Sequence, residues 1–133
     1  MFHPRSRLSP LVASLALLLL PLCTVAQSAL RTDFPDDATP SSADALRARI
    51  SGKVFHVALA DGSSWRIAYK ANGYAFLDVS GGFRDTGTWR VEDGRLCSEW
   101  RKATGGCGEA RLKGDSFYLK RTSNGEVVLF QVE

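Results

Sequence analysis

Few residues of this chain could do chemistry. Beyond the N-terminal region the one histidine is His56, and it falls on the polar side of an alternating stretch. A lone imidazole in that setting reads as a surface group rather than a general base. Cys97 and Cys107 are too few for a structural zinc site, which wants several Cys or His ligands at short spacing. In an oxidising compartment they pair as a disulfide instead. Between them runs Trp100-Arg101-Lys102-Ala103-Thr104-Gly105-Gly106, an aromatic followed by two adjacent cations. A loop closed by a disulfide loses its entropy on folding and so binds with little further ordering cost. Trp and Arg are also the residue types that dominate interface energetics. The loop therefore suits an anionic partner, either an acidic protein surface or an anionic component of a cell envelope. No Gly-x-Ser-x-Gly elbow and no glycine-rich loop opening a helix is present. The acidic pairs Asp36-Asp37 and Glu92-Asp93 sit in linker and turn. The expectation is a binding module and not an enzyme, with no cofactor and no metal.

The elements that must position this loop are marked by turns. Asp61-Gly62, Asn72-Gly73, Gly81-Gly82, Asp93-Gly94, Gly105-Gly106, Gly114-Asp115 and Asn124-Gly125 recur at nearly even intervals. Seven turns separating eight short apolar stretches predict an antiparallel up-and-down meander. Phe55, Val57 and Leu59 share one face of the first strand, and Trp65, Ile67 and Tyr69 one face of the second. Trp89 and Val91 do so in the fourth, Leu96, Ser98 and Trp100 in the fifth, Ala110 and Leu112 in a sixth over 109–113, and Phe117 and Leu119 in the seventh. Strand 74–79 is apolar on both faces and so ambiguous, and 127–132 is apolar on both faces as a strand covered on its outer side would be. Eight such strands can close into a barrel, and a two-sheet sandwich is the alternative. A short helix precedes them, capped by Ser41 with Asp44 three residues on, and stopped by Gly52. Leu46 and Ile50 share its inner face, so it would cover one end of the barrel.

An eight-stranded barrel either fills with side chains or holds one small ligand. Bulky Trp65, Tyr69, Trp89 and Phe117 on the inward set favour a filled interior. In the hollow alternative Trp65 and Trp89 become ligand contacts in a carrier of a small apolar molecule, with Trp89 serving first as a core anchor.

Arg5 and Arg7, the apolar run 11–20 and the small residues Thr24-Val25-Ala26 read as a secretory signal over 1–26, too short for a membrane span. Leu22 before Cys23 argues against lipid anchoring at that cysteine. Residues 27–42, rich in Pro, Asp, Ser and Thr, read as a flexible linker, and 43–133 as a single β domain. The chain carries 17 basic and 14 acidic residues, but two of the basic ones leave with the signal. The near-neutral remainder gives no case for nucleic acid. The protein is expected in the periplasm or outside the cell.

Gly52-Lys53-Val54-Phe55, Gly87-Thr88-Trp89-Arg90-Val91 and Leu96-Cys97-Ser98-Glu99-Trp100 with a downstream Cys resemble a pattern in small uncharacterised secreted proteins of Gram-negative bacteria. The resemblance spans roughly residues 44–133 and implies an exported β domain without catalytic residues. Gly87-x-Trp89 also resembles the Gly-x-Trp element of lipocalin-like barrels, though it lies mid-chain here. The function these readings imply is a periplasmic or secreted binding module. An inhibitor or immunity-type protein using its stapled hairpin is the first form of it, and an apolar-ligand carrier the alternative.

Overall fold

The computed structural model describes residues 30–133, together with the isolated Phe2 and Pro21. The signal-peptide reading and Cys23 therefore lie outside the described residues. Helix α1 (Ala43–Ile50) leads into eight strands: β1 (Lys53–Ala58), β2 (Ser64–Tyr69), β3 (Tyr74–Val79), β4 (Arg84–Glu92), β5 (Arg95–Trp100), β6 (Gly106–Lys113), β7 (Ser116–Lys120) and β8 (Val127–Val132). Each pairs antiparallel with the next, and β1 pairs with β8, so the sheet is a closed barrel and not a sandwich.

Turn chemistry explains the register. Asp93 and Gly94 both have positive φ, at 48° and 80°, the pairing a tight hairpin needs to match strand twist. They hold Glu92 opposite Arg95. Gly105 and Gly106 behave differently: neither has positive φ, and they make no two-residue turn. The turn occupies residues 101–105, and Gly106 already belongs to β6. A Cβ on Gly105 would collide with the Ser98 carbonyl, so glycine serves close strand approach there rather than left-handed backbone.

The ends of the barrel differ. At the end where β1 begins, α1 buries Leu46 and Ile50 completely against the core. Its cap is Ser42, one residue later than the sequence suggests: Ser42 Oγ accepts from the Ala45 N–H at 3.2 Å. Behind the helix, Phe55, Phe117 and Phe130 stack with centroids 4.7–6.4 Å apart. Tyr69 and Trp89 extend the cluster edge to face at 5.6 Å. Such pairs add to the burial energy of their rings. This half is filled.

The described part of the stretch read as a flexible linker is docked. Thr39 bridges to Leu112 through both backbone bonds, and the Val127 N–H donates to the Arg31 carbonyl at 2.7 Å. Phe34 and Ala38 cover Tyr118, Val127 and Leu129 on the outer face of β7 and β8, and the Arg111 guanidinium lies 4.3 Å from the Phe34 ring. Apolar side chains on both faces of β8 need that cover. Composition alone suggested a tether because the docking residues are few among many polar ones.

Candidate functional site: a hollow barrel mouth

At the end opposite α1 the barrel is open. Trp65 and Ile67 of β2, Leu77 of β3, Leu96, Ser98 and Trp100 of β5, and Leu119 of β7 enclose a cavity of about 420 Å³. Tyr69 and Phe130 form its floor. That volume lies within the ~300–1,000 Å³ range of small-molecule sites, and the lining is mostly apolar as such sites are. The hollow has a local cause. Inward positions near the mouth carry small residues, Gly87, Ser98, Gly106 and Gly108, whereas the filled half carries aromatics. Gly108 admits no side chain: a Cβ there would run into the Lys120 carbonyl and come within 2.9 Å of Leu119 Cδ1. Burial raises the Tyr69 hydroxyl far above its ordinary range, so the floor is uncharged.

The stapled loop forms the lip. Cys97 and Cys107 face each other on β5 and β6 and are joined, with S–S 2.06 Å. Ala103, Thr104 and Gly105 of the closed loop line the cavity. Gly87 lets β5 and Trp100 come close to β4: a Cβ there would collide with the Glu99 carbonyl and come within 2.9 Å of the Trp100 indole. Asp85, on β4 and only 5% exposed, holds the loop from within. Its carboxylate accepts from the backbone N–H groups of Thr86 (2.8 Å), Lys102 (3.0 Å) and Ala103 (2.8 Å). Desolvation would raise the Asp85 pKa, but the donors of Ala103, Lys102 and Thr86 and the Lys102 charge outweigh it and leave the group below its usual value of 3.8.

A pH dependence follows. A carboxyl held lower in the folded than in the unfolded chain contributes stability that is complete above its unfolded value, about 3.9. That contribution is lost as pH falls through the lowered folded value. Asp85→Asn should therefore reduce stability at pH 7 and flatten the acid limb below about pH 4. Urea midpoints of variant and wild type should converge toward pH 2; a constant gap from pH 7 to 2 would contradict the assignment. Asp61 and Glu92 are also lowered, through Ser63 and Arg90 respectively, so the difference between the two proteins is the quantity to read.

Across the mouth stand Lys120, Arg121, Thr122 and Ser123. The Arg121 guanidinium lies 4.8 Å from the centroid of Trp65. Glu126, 3% exposed, stands behind it: Oε1 accepts from the Ala60 N–H at 3.2 Å, and Oε2 is 3.8 Å from Arg121 Nη1. The closing seam registers Phe55 with Val132 and His56 with Gln131, away from the mouth. Nearer the mouth the Glu126–Ala60 bond spans β1 and β8.

Of the residues singled out in the sequence, Trp65 and Trp100 both line the cavity. Arg101 and Lys102 lie outside it, exposed beside Arg84 and Asp85 around a second depression. Lys102 Nζ sits 5.9 Å from the Phe83 centroid and donates to the Arg84 carbonyl at 3.3 Å. Trp89 is not at the site; it is 9% exposed in the filled half, with Nε1 donating to the Lys70 carbonyl at 2.8 Å. His56 is half-exposed on the outer wall, 3.6 Å from Glu133. Glu92 with Cys97 and Cys107 brings three ligand-type atoms within 4.8 Å, but the sulfurs are bonded to each other and present no thiolate. Asp85, Arg121 and Glu126 escaped sequence reading, while Leu119 was read only as an inward strand position. A signal existed for two of them: Asp85 shares the inward parity of Gly87, Trp89 and Val91, and Glu126 that of Val128 and Phe130.

Among the described residues no helix is long and apolar enough to cross a membrane. In comparisons with known proteins, no family model, no curated protein and no solved structure matches this chain, so its reading rests on its own geometry.

Proposed function

We propose that the protein is a non-catalytic binding module of the periplasm or the extracellular space that holds a small, largely apolar ligand in the open end of its barrel. The cavity carries this reading. It is lined by strands on a rigid frame, its lip is pre-ordered by the disulfide and by Asp85, and Trp65 and Trp100 both belong to its largely apolar wall. About 420 Å³ accommodates a ligand of roughly a dozen heavy atoms, taking about 30 Å³ for each as in liquid water. Preorganisation lowers the ordering cost of binding, so affinity is set by apolar burial and shape.

Titration with a compact hydrophobic fluorophore such as 1-aminonaphthalene, which is of a size the cavity holds, tests the reading. Saturable binding near one per chain is expected, and Ser98→Phe should weaken it at least tenfold because the added ring occupies the cavity. Absence of saturation, or equal binding by a folded Ser98→Phe protein, would sink the proposal.

A second reading is supported by the exposed cations Arg84, Arg101 and Lys102 beside the lip: an anionic macromolecule docks over the stapled loop. Replacing Arg101 and Lys102 by Glu should then abolish capture of that partner and leave fluorophore binding unchanged.

A further inference from the structure

We infer that the ligand of the mouth cavity is amphipathic, with an aliphatic or aromatic body and a carboxylate head received by Arg121. The inference rests on the cavity being a ligand site and adds the class of ligand.

Arg121 is the cation built into the cavity wall. Its side chain is 21% exposed, so most of its surface is withdrawn from water while the remainder lines the mouth. The Arg121 guanidinium lies over the Trp65 ring, 4.8 Å from its centroid, a cation–π contact on one side. Glu126 supplies a counter-charge from behind, but at 3.8 Å its Oε2 is beyond hydrogen-bond length, and that oxygen is buried without a hydrogen-bond partner. The carboxylate thus stabilises Arg121 electrostatically without using its donors. Arginine presents five N–H groups in a planar fork that matches a carboxylate through two parallel bonds. Glu126 is no obstacle to an incoming anion. It is tied to the Ala60 N–H and stands outside the cavity lining, and Lys120 adds a second cation at the mouth.

Polarity is graded along the cavity axis. Leu77, Leu96 and Phe130 lie deep, while Lys120, Arg121, Thr122, Ser123 and Thr104 ring the opening. A carboxylate at the rim keeps part of its hydration while its chain fills the interior. A neutral molecule of the same length forgoes the charge-assisted bonds, and a cation is repelled.

The test compares decanoate with 1-decanol at pH 7.5 by calorimetry or fluorophore displacement. Both have a ten-carbon body of a size the cavity holds, and they differ at the head. Wild-type protein should bind decanoate at least tenfold more tightly. Arg121→Gln should bind the two alike, and Lys120→Gln should keep most of the preference. Where Arg121→Gln does not fold, Arg121→Lys replaces it: the preference should shrink several-fold because an ammonium cannot form the paired bonds. Equal binding of both probes by the wild type would overturn the head-group inference and leave the cavity reading standing. Binding of neither would overturn the cavity reading itself. A preference lost in Lys120→Gln and kept in Arg121→Gln would move the head away from Arg121 and refute the assignment.

Discussion

Phe117→Ala should destabilise the protein by about 3–5 kcal/mol, the cost of deleting a fully buried aromatic and leaving a cavity. Phe117 is 0% exposed and lies between Phe55, at 4.9 Å, and Phe130, at 4.7 Å. It thus joins three strands, β1, β7 and β8, across the closing seam. The surrounding wall cannot collapse into the space, because the helix above is fixed by Leu46 and Ile50. A domain of this size is stable by roughly 5–15 kcal/mol, so the variant should be marginal. Urea denaturation followed by near-ultraviolet circular dichroism would show the midpoint falling with little change in slope. Phe76→Ala is the matched control: that ring is 44% exposed on the outer face of β3, and its removal should cost about 0.5 kcal/mol or less. Comparable losses in the two variants would contradict the placement of the core.

The second large effect concerns the staple. Replacing Cys97 and Cys107 by serine should cost about 2–3 kcal/mol on the chain-entropy account, since the disulfide closes a loop with a sequence separation of 10 residues. For a domain of about a hundred residues this lowers the melting temperature by roughly 10 °C or more. The change should also weaken ligand binding, because Ala103, Thr104 and Gly105 belong to the closed loop and form one side of the mouth. Asp85 still holds the Lys102 and Ala103 amides, so the lip loosens without being lost. Scanning calorimetry with and without reductant reads the stability effect, and fluorophore titration the binding effect. A variant that melts as wild type would contradict the staple's structural role.

Much of the fold was legible because strand alternation has a period of two and the turns carry their own chemistry. Phe55, Val57, Ile67, Leu96 and Phe117 all face the core as their spacing implies. Asp93-Gly94 marks its hairpin through backbone preference alone. Gly105-Gly106 misled for a physical reason: glycine permits both left-handed backbone and close strand approach, and sequence does not say which. Starting the sixth strand at Glu109 hid Gly106 and Gly108, two glycines that line the mouth and contribute no side chain to it. Large inward residues were visible and small ones were not, so a filled interior looked favoured; the structure divides the barrel into a filled half and a hollow one.

The candidate site was legible in part. Trp65 and Trp100 stood out as aromatics, yet that both line one cavity depends on barrel curvature, which no local pattern encodes. Arg101 and Lys102 drew attention as adjacent cations, whereas Lys120 and Arg121, which line the cavity, lie where strand β7 runs into a stretch that reads as an ordinary polar turn. Ion pairs such as Arg121 with Glu126 join the ends of a hairpin whose inward parity shifts at its loop. The docked segment 30–42 was hidden for a related reason: its anchors, Phe34 and Ala38, sit among polar residues without periodicity.

The central claim is that one end of this barrel is empty and binds a ligand there. Intermolecular nuclear Overhauser effects from bound decanoate test it most directly. The account predicts contacts to Trp65, Leu77, Leu119 and the loop at 103–106, with none to Phe55, Phe117 or the outer strand faces. Contacts confined to the exterior, at Tyr74, Phe76 and Phe83, would contradict it.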